Sequence, residues 1–167
     1  MPEGPVKRRT IVDRMSRPRS RIGVVQPATG EAPVGEDTCV PIHSAADILE
    51  ARKRGRELAV ALGFAATDCT LVATAISELA RNIVLYADHG EIRLNSVARK
   101  NSMGIVITAR DDGPGIADLQ RAMRDGFSTS HGLGLGLPGV KRIMDEFEIS
   151  SKPKRGTTVT ARKWKCQ

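Results

Sequence analysis

Val72, Ile76, Leu79, Ile83 and Tyr86 follow one another at spacings of three and four, and no other stretch restricts this chain as much. That period places them on one stripe of an α-helix, which needs a second layer to bury it. Thr67 or Asp68 is placed to cap the helix, and His89-Gly90 to stop it. Glu78 and Asn82 lie four apart, so they stack on one face beside Leu79 and Ile83. A carboxylate and a carboxamide at a core edge are costly unless something binds them, although a half-exposed polar pair would read the same. Both supply hard oxygen ligands of the kind Mg²⁺ prefers.

The partner layer is legible as strands. Ile92 and Leu94 alternate with Arg93 and Asn95, Arg99-Lys100-Asn101 reads as a turn, and Ile105–Thr108 reads as a buried strand. Cys39–Ile42 is a short strand, and Ser44 to Asp47 reads as a capping box for a helix running to about Leu62, with Gly63 ending it. Ile116, Leu119 and Met123 suggest a short helix, and a further helix starts near Pro138. Glu148–Ser151 and Thr157–Lys163 close the chain as a hairpin. The order β-α-α-β-β-α-α-β-β predicts an α/β two-layer sandwich, a mixed sheet with helices on one face. Aromatic residues are only 3% of the chain, so Val, Ile, Leu and Ala must fill the core.

Residues 1–37 lack apolar periodicity and are punctuated by Pro2, Pro5, Pro18, Pro27 and Pro33. They are expected to form a disordered tail, with the domain spanning 38–167. The net charge is +7, and residues 1–30 carry +5 of it, leaving +2 for the rest. The basicity therefore belongs to the tail: either a solvated segment, one that contacts nucleic acid or an acidic partner, or the product of a mis-assigned start. Arg52, Lys53, Arg54 and Arg56 form a second basic cluster, with Arg52 and Arg56 sharing a helix face that could grip an acidic partner. Cys39, Cys69 and Cys166 form no CxxC pair, which argues against a zinc site or a disulfide framework. No apolar run approaches the ~20 residues of a membrane helix, and the N-terminus lacks a secretion signal, so a cytoplasmic location is expected.

Two further motifs carry chemistry. Asp111-Asp112-Gly113-Pro114-Gly115 directly follows the buried strand. A carboxylate there can accept a hydrogen bond from an exocyclic amine, and the two glycines allow close backbone approach to a flat ring. An ordinary Asp-Gly turn would look alike. Gly132, Gly134, Gly136 and Gly139 then lead into a helix, whose N-terminus can cradle phosphates. The spacing also satisfies GxGxxG, but without the first strand that a dinucleotide fold requires, and no P-loop motif is present.

The succession Glu78-x-x-x-Asn82, Asp111-x-Gly113-x-Gly115 and Gly132-x-Gly134-x-Gly136 resembles the N, G1 and G2 boxes of the GHKL ATPases (gyrase, Hsp90, histidine kinases, MutL), which share the Bergerat ATP-binding fold. Gly156-Thr157 is similar to their last box. The segments Thr74–Ile83, Asp125–Ser130 and Gly136–Arg142 narrow the resemblance to the RsbT-type serine/threonine kinases, relatives of the RsbW and SpoIIAB anti-sigma factor kinases. With no phosphoacceptor-histidine helix or transducer domain in this sequence, the chemistry of the larger members is not expected. The resemblance implies ATP and Mg²⁺ as cofactors, Asn82 as the metal ligand, Glu78 as general base, and Asp111 with Thr157 on the adenine. Gly113 and Gly115 would shape the adenine pocket, and Gly132, Gly134 and Gly136 would wrap the triphosphate. It implies STAS-domain substrates of the RsbS and RsbR kind and activation of an RsbU-like phosphatase on release. An anti-sigma factor kinase is the alternative, and a non-catalytic ATP-binding or nucleic-acid-contacting module the second.

Overall fold

The computed structural model describes residues 30–124 and 136–166. Five strands, β1 (Ala32–Ile42), β2 (Gly90–Arg99), β3 (Ser102–Asp111), β4 (Glu146–Ser151) and β5 (Thr157–Trp164), form one sheet in the order β1-β2-β3-β5-β4. Every neighbouring pair is antiparallel, so the expected mixed sheet is corrected to a wholly antiparallel one. The cause lies in the connections. Two helices, α1 (Ala45–Ala61) and α2 (Ala66–Tyr86), separate β1 from β2, and the three reversals that follow, an odd number, return the chain antiparallel. On the way from β3 to β4 the chain forms the one-turn α3 (Leu119–Ala122) and α4 (Gly136–Ile143), and it passes the slot that β5 fills afterwards.

Strand alternation sends Ile92, Leu94, Ile105, Ile107, Val159 and Ala161 to one face, where α2 buries Val72, Ile76, Leu79 and Ile83 against them. α2 is long and apolar enough to cross a bilayer, but nine of its residues are buried, in a core shared with the sheet. Cys69 is one of them, its thiol directed at the Phe64 carbonyl. α1 lies alongside α2 on its small residues Ala51, Gly55 and Ala59; a Cβ at Gly55 would meet the Ile76 side chain. Asp47 Oδ2 accepts the N–H groups of His43 and Ser44 at 3.0 and 2.8 Å, the return half of the expected capping box. α2 begins one residue after Ala65, so Thr67 and Asp68 stand in its first turn rather than at the cap.

The tail boundary needs correction. β1 starts at Ala32 rather than Cys39, because it pairs with β2 from Ala32↔Ala98 to Ile42↔Gly90 across an irregularity between Val34 and Thr38. Gly35, with φ of 88°, supplies the positive dihedral for that irregularity. Residues 32–37 thus belong to the sheet, and residues 1–29 lie outside the described part. So do Asp125–Ser130, Gly132 and Gly134.

Candidate functional site

The second helix, the end of β3 and the start of β5 converge on a cavity of about 320 Å³. Glu78 and Asn82 line one side of it, Asp111 and Thr157 another, with Gly115 and Gly136 also on the wall. Apolar side chains of Leu79, Ile83, Ala109, Ile116, Leu137 and Val159 make up much of the rest, as a flat heterocycle requires.

Register brings Asp111 and Thr157 together. Asp111 is paired with Thr157 across β3 and β5 and with Gly90 across β2 and β3. Asp111 Oδ1 accepts the N–H of Gly113 at 2.9 Å and of Thr157 at 3.2 Å. One carboxylate oxygen thereby holds the side chain in place on the cavity wall. Asp112, by contrast, has a side chain 74% exposed, 3.9 Å from the Arg110 guanidinium. Only the first of the two adjacent aspartates is built into the cavity.

The glycines of this corner sit in close quarters. Gly115 lines the cavity with φ of 71°, and a Cβ there would strike the Lys152 carbonyl. A Cβ on Gly113 would lie 2.6 Å from that of Ala87, just past the end of α2. Gly156, with φ of 78°, stands where a Cβ would enter the Asp111 backbone. A residue missed from the sequence completes this corner. Ser151 Oγ accepts the Ile116 N–H at 2.8 Å and lies 3.1 Å from the Gly156 carbonyl and 3.0 Å from Thr157 Oγ1. A lone serine ending a strand carries no signal in sequence; only the pairing of β4 with β5 reveals it.

On the α2 side of the cavity, Glu78 is the one charged residue among the nine buried in α2, with 9% of its surface exposed. Its Oε2 accepts the backbone N–H of Gly136, the first residue of α4, at 3.2 Å. The buried carboxylate therefore meets the positive end of a helix dipole. Asn82, one turn further along, is half-buried at the same wall. No group of three or more His, Cys, Asp or Glu occurs among the described residues that could hold a metal unaided. A single amide oxygen beside a nucleotide site instead fits Mg²⁺, which keeps several waters and takes phosphate oxygens as ligands. Arg52 and Arg56 are exposed on α1 and take no part in the cavity wall, while their neighbours Lys53 and Arg54 pair with Glu57 and Glu50.

Comparison with known proteins agrees with this geometry. Residues 67–166 match the family of histidine kinase-, DNA gyrase B- and HSP90-like ATPases. The chain is 51% identical over 131 residues to the serine/threonine-protein kinase RsbT of Bacillus subtilis (strain 168), covering 78% of this chain and 98% of the relative. It is 31% identical over 97 residues to the anti-sigma F factor of Thermoanaerobacter sp. (strain X514), covering 56% of this chain and 68% of that protein. The anti-sigma F factor of B. subtilis is 30% identical over 97 residues, 55% of this chain and 66% of its own. With its cavity, box order and these relatives taken together, the chain belongs to the histidine kinase-, DNA gyrase B- and HSP90-like ATPase family, in the branch of the RsbT-type serine/threonine kinases.

Proposed function

We propose that this protein transfers the γ-phosphoryl group of ATP to a serine or threonine hydroxyl of a protein substrate. The observation that carries the reading is the placement of Glu78 and Asn82 on one wall of a cavity whose other wall holds Asp111 by two backbone N–H groups. Asp111 would accept a hydrogen bond from the adenine amine with its remaining oxygen, assisted by Thr157, and so fix the orientation of the nucleotide. Gly136, together with Gly132 and Gly134, would wrap the triphosphate. Asn82 would hold Mg²⁺, which supplies charge neutralisation of the phosphates when bound. Glu78 would take the proton of the acceptor hydroxyl as the new P–O bond forms, a role suited to a carboxylate kept in a mostly water-excluded wall. Positioning and electrostatics do most of the remaining work in such transfers.

The substrates in this reading are STAS-domain proteins of the RsbS and RsbR kind, met in the cytoplasm. Release from them would free the kinase to bind and activate an RsbU-like phosphatase. The deciding experiment is incubation with ATP, Mg²⁺ and purified STAS-domain candidates, with the modified hydroxyl located by mass spectrometry. Transfer by the wild type that is lost in Glu78→Ala, with nucleotide binding retained, supports the proposal. Nucleotide binding without transfer to any STAS protein, together with stable capture of a sigma subunit, would favour the anti-sigma alternative.

A further inference from the structure

Among the described residues that line the cavity, Arg81 is the one cation; the other charged groups there are the carboxylates of Glu78 and Asp111. Arg81 follows Glu78 by three positions and directly precedes Asn82. α2 thus presents a carboxylate, a guanidinium and a carboxamide within about one turn, on the side that borders the cavity. Glu78 is buried and Arg81 exposed, which sets Arg81 at the rim.

A glutamate three residues away on a helix is within reach of an arginine. Here Glu78 instead gives its Oε2 to the Gly136 N–H. Among the described residues no carboxylate forms an ion pair with Arg81, whereas Arg54, Arg93, Arg99, Arg110 and Arg162 each face one. The guanidinium is available to an anion from outside the chain, and its place along α2 says which part of that anion it meets. Asp111 lies near the C-terminal end of the helix: its Cβ is 3.2 Å from where a Cβ on Gly90 would stand, and Gly113 packs against Ala87. Arg81 is about 9 Å back along the axis from Ala87 and Glu78 about 13.5 Å, at ~1.5 Å per residue. With adenine on Asp111 and the acceptor hydroxyl at Glu78, a triphosphate has to run between them along α2. Its terminal group then comes to the stretch that carries Arg81 and Asn82. Charge points the same way. Two carboxylates in the wall repel a polyanion, and a planar guanidinium with paired N–H donors matches non-bridging phosphate oxygens.

We propose that Arg81 is a further catalytic residue, one that grips the γ-phosphate of ATP; the assignment rests on the kinase reading above. In the transfer, the bond from the γ-phosphorus to the β,γ-bridging oxygen breaks and its electron pair leaves with ADP. A bond to the serine or threonine oxygen forms, and the hydroxyl proton passes to Glu78. Arg81 meets the negative charge on the oxygens of the moving phosphoryl group and keeps that group in line between donor and acceptor. The same contact makes the site prefer ATP to ADP, because ADP has no third phosphate to offer it.

The test uses the full chain and two readouts. Calorimetric titration with Mg²⁺ compares ADP with AMP-PNP, the imido analogue that keeps a third phosphate. The wild type should favour AMP-PNP. Arg81→Ala should bind ADP as the wild type does, with the same Tm, and bind AMP-PNP about tenfold more weakly. Arg81→Lys should recover part of the difference, since an ammonium keeps the charge but not the fork. Single-turnover transfer to a STAS-domain protein that the wild type modifies should fall roughly 10²–10³-fold in Arg81→Ala. A wild type that modifies no STAS protein counts against the kinase reading alone, and the nucleotide preference still decides the role of Arg81. An Arg81→Ala protein with the wild-type ratio of AMP-PNP to ADP affinity overturns the proposal. The same unchanged ratio together with weakened STAS binding overturns it in favour of a docking residue.

Discussion

Asp111 and Asp112 are chemically identical neighbours, and the strand period alone assigns them opposite fates. Asp111 ends β3 on the cavity wall with one oxygen committed to Gly113 and Thr157, while Asp112 points to solvent. Asp111→Asn should weaken ATP binding at least tenfold, because a hydrogen bond to a charged group is worth about 1.5–3 kcal/mol and an amide N–H₂ would then face the adenine amine. Asp112→Asn should leave the affinity near wild type; calorimetric titration of both variants gives the order. Glu78→Ala should retain much of the ATP affinity and lower phosphotransfer by roughly 10²–10⁴-fold, read from substrate labelling under single-turnover conditions. Glu91 provides a test in pH. Burial pushes its carboxyl up, but the hydrogen bond and charge of Arg93, with the Cys39 thiol assisting, hold it below the ordinary carboxylate value. A lowered folded pKa contributes stability that is complete above the unfolded value and lost as pH falls through the folded one. Glu91→Gln should therefore lower Tm in the neutral region, leave it near wild type in acid, and so flatten the acid limb of a plot of Tm against pH. These residue assignments were legible as far as type and spacing reach. The roles of Gly113 and Ser151 were not, because each depends on a contact from another element, Ala87 and Gly156 respectively.

At the scale of elements, periodicity located every helix and strand described, and its errors fall where tertiary pairing decides. β4 begins at Glu146 rather than Glu148, since Arg162 and Ala161 continue the ladder. β1 is longer than its apolar residues suggest, because exposed Pro33, Glu36 and Asp37 belong to an edge strand, where apolar alternation is not required. Those same residues, with Pro41 and the irregularity at Gly35, discourage pairing of that edge with another chain. The corner of Gly115 and Gly156 is the least forgiving part of the elements around the cavity. Gly115→Ala puts a side chain against the Lys152 carbonyl at a positive φ and should cost about 1–3 kcal/mol, seen as a lowered midpoint in urea. Gly55→Leu should cost a similar amount by forcing α1 from Ile76, whereas Gly55→Ala meets only the flexible tip of that isoleucine and should be milder. On the exposed side of α1, Arg52→Ala with Arg56→Ala should leave ATP affinity unchanged. A weaker and less salt-sensitive association with a STAS partner, in surface-binding assays at two salt concentrations, would show that this face takes part in docking.

At the scale of the molecule, removal of residues 1–37 was expected from composition to leave stability unaffected. The strand that starts at Ala32 and the Glu31–Arg162 pair reverse that expectation. The deletion should lower Tm by several degrees, because it removes half of β1 and leaves Arg162 without its most buried carboxylate. Arg162→Ala, which takes one guanidinium from Glu31, Glu146 and Glu148 together, should cost about 3–5 kcal/mol, read from urea unfolding.

The strand order β1-β2-β3-β5-β4 also governs how the protein can come into being. As the chain leaves the ribosome, β4 emerges before the strand that must lie between it and β3. The sheet therefore closes from within, by insertion of the last strand made. Asp111 cannot be held by Thr157, nor Ser151 reach Gly156, until that strand has arrived. The nucleotide pocket is thus among the last parts of the molecule to exist, and a nascent or prematurely terminated chain has no means of consuming ATP. A stall ahead of Thr157 should leave β4 unpaired and the product open to chaperones and proteases, so that translation of the final strand doubles as the checkpoint for enzymatic competence.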